Sequence, residues 1–198
     1  MKKSEATRQE IIHQAAELFN IKGYSGSSIS DVMERTGLKK GGIYNHFSNK
    51  EELSLAAFEH SYTIMREQYV QVVEREEGAI RKLLAFVETF RSYIYKPPIK
   101  GGCPIMNSSS EVDDTNPRLS AAVRGAALDW EHFLEKIIIE GIRAGEIHDS
   151  INATKEAINM IASLEGGIML GKLHRKPAYM HAIADQLIDH INTRLKKA

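Results

Sequence analysis

Apolar residues recur at three- and four-residue spacing along most of the chain, and no stretch of useful length alternates in the manner of a strand. Ile11, Ile12, Ala15, Leu18 and Phe19 form the first such stripe and predict a helix over residues 4–22, which Gly23 terminates. Ser28, followed three residues later by Asp31, starts a second, short helix. The hydroxyl can accept from an early backbone N–H, and the carboxylate suits the positive helix end. Ile29, Val32 and Met33 give this helix one apolar face, Gly37 allows a left-handed exit, and Leu38 plugs the turn. A third helix is predicted over residues 40–47. Ser48 and Asn49 stop it, and either can cap the next helix, because Glu51 and Glu52 each complete a capping box in one register.

That next helix, from residue 48 or 49 to about 76, contains neither Gly nor Pro and would be about 40 Å long. Ile80, Leu83, Leu84, Val87, Phe90 and Ile94 mark one side of a helix over 79–95. Two prolines and two glycines between 96 and 102 interrupt regular structure. A short helix over 104–112 follows. Asn116 and Pro117 then supply an N-cap and a first-position proline to a long helix reaching about 144. After a loop over 145–152, helices over 153–174 and 178–195 complete the chain. The prediction is all-α, about nine helices, with three in an N-terminal head and six in a body.

Two short helices joined by a Gly-centred turn match a helix-turn-helix, whose second helix enters the major groove while the first lies across the backbone. The positions Thr7, Ile11, Ala15, Leu18, Phe19, Gly23, Tyr24, Ser27, Ser28, Ile29, Asp31, Val32, Gly37, Leu38, Lys40, Gly41, Ile43, Tyr44, His46, Phe47, Lys50, Glu51, Glu52 and Leu53 carry a resemblance. Over residues 7–53 the chain resembles the N-terminal DNA-binding domain of the TetR family of bacterial transcription regulators. It departs from the family at Met33, where a small residue is usual, at Lys39, where Ser is common, and at Gly42, where Thr or Ser is common. Lys39 and Gly42 lie on the reading helix and bear on which operator is read. The resemblance implies a DNA-binding domain at 1–48 and a six-helix effector-binding and dimerisation domain at 49–198. It also implies that Tyr44, His46 and Lys50 meet backbone phosphates, joined by Ser28, and that Lys39, Gly42 and Asn45 lie nearest the base edges. The residues themselves place Lys39, Lys40, Tyr44, Asn45 and His46 on the exposed side of the reading helix, with the Gly41 N–H near a helix start where it can bind phosphate.

Net charge is zero over 198 residues, which alone argues against a nucleic-acid binder. Its distribution argues the other way. Residues 1–50 hold eight Lys/Arg against five Asp/Glu, and the remainder eighteen against twenty-one, so a mildly basic head joins a mildly acidic body. A composition of 42% hydrophobic and 26% charged residues suits a soluble globular protein. No apolar run approaches the roughly 20 residues that span a bilayer, and the N-terminal lysines are followed by no apolar signal core, so a cytoplasmic protein with no membrane partner is expected. The single cysteine, Cys103, excludes an intramolecular disulfide and fits a reducing compartment. The eight histidines are scattered, so neither a metal nor a cofactor is expected.

In the body, Gly166, Gly167 and Gly171 fall within one helix at a cost of roughly 1 kcal/mol each relative to Ala. With Ile168, Leu187, Ile188 and Ile191 they read either as packing within one chain or, as the resemblance implies, as a two-fold four-helix interface of a homodimer. Phe90, Tyr95, Cys103, Met106, Trp130, Phe133, Met160 and Leu164 read either as core or as the lining of a small-molecule effector pocket. Gly101 to Pro104 is similar to a subgroup of the family with Gly-Cys at the start of the sixth helix. Cys103 reads as a thiol activated by a helix N-terminus or as a buried inert one. The expected function is a ligand-responsive repressor that binds a palindromic double-stranded DNA operator as a dimer and is released by its effector. Two alternatives stand beside it: a thiol-dependent enzyme using Cys103 with His132 or His174 as base, and a ligand carrier with a vestigial head.

Overall fold

The computed structural model describes residues 3–112 and 116–197. Nine α-helices are found among them: α1 Lys3–Lys22, α2 Ile29–Thr36, α3 Lys40–Tyr44, α4 Lys50–Val73, α5 Ala79–Ser92, α6 Pro104–Ser109, α7 Pro117–Arg143, α8 Ala153–His174 and α9 Ala178–His190. A π-helical turn, Ile191–Leu195, continues α9. Extended pairing among the described residues is confined to one antiparallel bridge, Ile147 with Lys196.

The starts of the helices fall where the capping residues put them. Ser28 and Asp31 form the reciprocal box of α2, Asn152 accepts from the Lys155 N–H at the start of α8, and Asn116 accepts from the Leu119 N–H at the start of α7. Of the two candidate caps of α4, Asn49 is the one that accepts from a helix N–H, and Ser48 serves only as a donor to Glu52. Asn49 accepts from the Glu52 N–H at 2.8 Å, while the Glu52 carboxylate reaches back to the N–H and hydroxyl of Ser48 at 2.7 and 2.6 Å. Several helix ends come earlier than the apolar periodicity suggests: α3 stops at Tyr44 rather than residue 47, α5 at Ser92 rather than 95 and α6 at Ser109 rather than 112, whereas the last helix reaches Leu195 as expected, through its π-helical turn. At α3 the reason is visible. The His46 N–H bonds three residues back, to Ile43, and this tightened turn carries Phe47 into the core.

The chain packs into two compact units. One is made of the chain up to Met65 together with Pro98–Ala126, the other of Arg66–Pro97 together with Ala127 onward. The head unit so defined includes the first part of α4 and the segment containing α6. Ile11, Ile12, Ala15, Ala16, Leu18, Val32, Ile43, Phe47, Leu53, Ala57 and Ile99 form its buried cluster, each large side chain contributing roughly 1.5–3 kcal/mol. A polar network binds the segment over residues 98–112 to α1. The side-chain amide of Asn20 donates to the carbonyls of Lys100 (2.8 Å) and Gly102 (2.9 Å). The amide of Asn107 donates to the side-chain and main-chain oxygens of Asn20 (3.0 and 3.1 Å) and to the Gly101 carbonyl (2.9 Å).

The body unit is built on aromatic packing. Phe90 stacks on Trp130 with centroids 4.9 Å apart and lies 4.8 Å from Phe86, and Tyr69 touches Phe86, Phe90 and Phe133. Helices α8 and α9 pack on each other and on α5. Arg91 bridges to Asp185 at 2.6 Å and Tyr95 bonds His181 at 2.7 Å, tying the end of α5 to α9.

Replacing Asn20 with Ala leaves the carbonyls of Lys100 and Gly102 without their donor, and chemical denaturation should report a loss of roughly 2–3 kcal/mol. The Asp31 carboxyl is held well below the usual carboxylate range by the Lys22 ammonium and by Ser28. A depressed native pKa stabilises above the unfolded value of about 3.9 and is lost as pH falls. Denaturation midpoints below about pH 4 should therefore drop more steeply in the wild type than in Asp31→Asn.

Candidate nucleic-acid interface

The reading helix is positioned from both sides. Before it, Gly37 at φ 68° caps α2 in the left-handed conformation that any side chain would strain. After it, Phe47 is buried and Asn49 starts α4. Between them, Ile43 is buried while Lys39, Lys40, Gly41, Tyr44 and Asn45 are exposed, and Gly42 and His46 are half-buried. Tyr44 is 40% exposed, and the Lys40 ammonium stands 5.8 Å from its ring centre. Among the described residues no carboxylate pairs with Lys39 or Lys40, whereas Lys22 is paired with Asp31 and Arg35 with Glu17. A Cβ at Gly41 would meet nothing within 4 Å, so its backbone lies open to solvent. This surface offers unpaired cations, a phenol, an amide and bare backbone, which is the donor set that phosphates and base edges take.

Lys50 and Ser28 sit differently from a free surface cation and hydroxyl. The Lys50 ammonium donates to the Tyr24 carbonyl at 2.6 Å and lies 4.1 Å over the Tyr24 ring. Burial pulls its pKa down, and the charges of Glu111 and Asp31 oppose that. One of its three N–H groups is thereby used. The Ser28 hydroxyl is exposed but engaged with Asp31 in the α2 cap. Arg8 stacks 5.0 Å over Phe47. Tyr24 emerges as a support for Lys50, a role no spacing signals because the two are 26 residues apart.

The expected dimer set divides. A Cβ at Gly167 would lie 2.9 Å from Met180 Sδ, and one at Gly171 2.8 Å from Ile94 Cδ1, so both glycines permit packing inside the protomer. Ile168, Leu187 and Ile191 are buried there too, with Ile188 half-buried. Gly166 points the other way, into open space. It falls on an outward stripe of α8 with Ile158 (47% exposed), Ala162, Met169 (49%) and Leu173 (71%). Their four- and three-residue spacing is the sequence signal for this stripe.

The expected effector set is likewise redistributed. Cys103 and Met106 belong to the head unit, where Cys103 is buried, which gives the thiol-enzyme reading no support. Phe90, Trp130, Met160 and Leu164 are fully buried in the body unit, and Tyr95 is 64% exposed on its surface against His181. Phe133 lines an open groove of about 340 Å³ with Val70, Val73 and Ile137, rimmed by Lys82, His132 and the Arg66–Asp129 ion pair. Among the described residues no three metal-ligating side chains cluster, and no helix is long and apolar enough to cross a membrane.

Comparison with known proteins bears on the family of the chain. The family model for bacterial regulatory proteins of the tetR family matches residues 11–57, and that for the tetracyclin repressor-like C-terminal domain matches residues 79–187. The crystal structure of a TetR transcriptional regulator from Chloroflexus aurantiacus is similar with a TM-score of 0.96 at 38% identity, both chains covered in full. A TetR-family regulator from Cytophaga hutchinsonii gives 0.91 at 34%, covering 100% of this chain and 99% of that one. The transcriptional repressor DhaR of a Mycobacterium species is 26% identical over 173 residues, 85% of this chain and 83% of the relative. Head and body are each matched, and two solved relatives align end to end, so the chain belongs to the TetR family of bacterial transcription regulators.

Proposed function

We propose that this regulator is a homodimeric repressor whose two α3 helices enter successive major grooves of a palindromic operator, and that a small molecule bound in the body releases it. The observation that carries the reading is the α3 surface, where Lys39 and Lys40 have no carboxylate partner among the described residues and stand beside Tyr44, Asn45 and the bare backbone of Gly41. His46 and Lys50 complete the phosphate contacts, and Lys39, Gly42 and Asn45 face the bases. The outward stripe of α8, with Tyr179 at the start of α9, is the dimer face. The effector occupies the groove beside Phe133, whose volume suits a drug-sized molecule with an apolar body and a polar end. Helix α4 is continuous from Lys50 to Val73 and so belongs to both units; a change in its tilt is the proposed switch. The similarity to a relative named as a repressor supports the sign of regulation.

Selection from a pool of random duplexes should enrich a two-fold symmetric site with half-sites about 34 Å apart, or a multiple of that. A non-symmetric product, or none, would defeat the proposal. Met169→Asp should yield a monomer in sedimentation and a large loss of affinity for that duplex, because it places a charge in the dimer face. Gly41→Ala separates folding from binding. With open space and ordinary helical backbone at this position, Ala should raise the thermal midpoint through roughly 1 kcal/mol of helix propensity. The same methyl group should weaken DNA binding several-fold by holding the backbone away from the duplex.

A further inference from the structure

We propose that Glu111 is a positioning residue for DNA binding: its carboxylate fixes the turn over residues 23–27 on which the phosphate-binding ammonium of Lys50 rests. The proposal rests on reading Lys50 as a phosphate contact.

Three observations in the head unit carry it. The Ser25 N–H donates to Glu111 Oε2 at 2.9 Å, a bond between residues 86 positions apart. The neighbouring Gly23 has φ +80°, and a Cβ there would lie 2.1 Å from Glu111 Oε1, so the carboxylate occupies the space that only a glycine leaves. Tyr24, between them, holds Lys50 through its carbonyl at 2.6 Å and through its ring at 4.1 Å. The turn is closed on itself by the Ser27 hydroxyl, which donates to the Gly23 carbonyl at 2.7 Å, and it runs directly into Ser28, the cap of α2. Holding Ser25 therefore holds Tyr24, and holding Tyr24 places the Lys50 ammonium.

Glu111 can act as an anchor because it is itself anchored. It follows α6, its N–H bonds to the Ser108 carbonyl at 3.0 Å, and Asn107 on that helix is bonded to Asn20 of α1. The Lys100 ammonium adds an ion pair with Glu17 of α1 at 3.0 Å, and Glu17 in turn meets Arg35 of α2 at 3.5 Å. The segment over residues 98–112 thus grips α1 and the turn that follows it, and is linked to α2 through Glu17. A side chain far from the reading helix in sequence thereby sets the position of a DNA contact.

The test uses the full-length protein and the duplex that the wild type enriches from a random pool, with dissociation constants measured over a range of salt. Glu111→Ala should weaken binding about tenfold and lower the salt slope by about one, as Lys50→Ala does. The double variant should bind no more weakly than Lys50→Ala alone. Glu111→Gln keeps an acceptor for the Ser25 N–H and should bind as the wild type does. Glu111→Asp, which retains the charge but withdraws it by one methylene, should show a partial loss with the same fall in slope; it serves where the Ala variant fails to fold. Additive losses in the double variant, or a Gln variant as weak as Ala, would overturn the positioning role while leaving the DNA-binding reading intact. A wild type that enriches no duplex would remove both.

Discussion

A helix of five residues does not stand alone in water, because fixing its first turn costs more than its few hydrogen bonds contribute. Helix α3 stands because Ile43 within it and Phe47 just beyond it are buried in one cluster with Ile11, Ile12, Val32 and Leu53. Everything the reading surface can do depends on that burial of its opposite side. It also explains how two adjacent glycines are tolerated in so short a helix. Packing holds the backbone, so the exposed positions carry no share of the burial.

The head is more than its first three helices. Asn20 and Asn107, with the carbonyls of Lys100, Gly101 and Gly102, form a polar network on α1 in which each amide finds acceptors. Fully satisfied networks of this kind specify one arrangement, because any slip leaves a buried polar group without a partner. Ile99 joins the apolar cluster from the same segment. The segment over residues 98–112 is therefore held to the helix-turn-helix scaffold by both kinds of force, although it is separated from it in the chain by all of α4 and α5.

The body shows how one composition can serve two ends. Its aromatic residues are spent mostly on close ring packing, with Phe133 at the margin where the core meets an open groove. Its glycines are split by direction: Gly167 and Gly171 admit α9 and Ile94 within the protomer, and Gly166 keeps an outward apolar stripe flat. Glycines on opposite sides of one helix have different partners even when they are neighbours in sequence.

The sequence by itself determined the all-α class, the order of the helices, most of their starts, and the exposure of Lys39, Lys40, Tyr44 and Asn45, though not the half-burial of His46. These are local matters. A 3.6-residue stripe, a Ser-x-x-Asp box or an Asn-Pro start is written within one turn of the helix it controls. Only the tertiary structure decided that Lys50 rests on Tyr24, that Glu111 holds the turn beneath it, which glycines face inward, and that Phe90 and Trp130 stack on one another. Each of these joins residues far apart in the chain, and the partner of a side chain across the core depends on which surfaces meet when the helices pack. Periodicity reveals that a face is buried; it carries no information about what buries it.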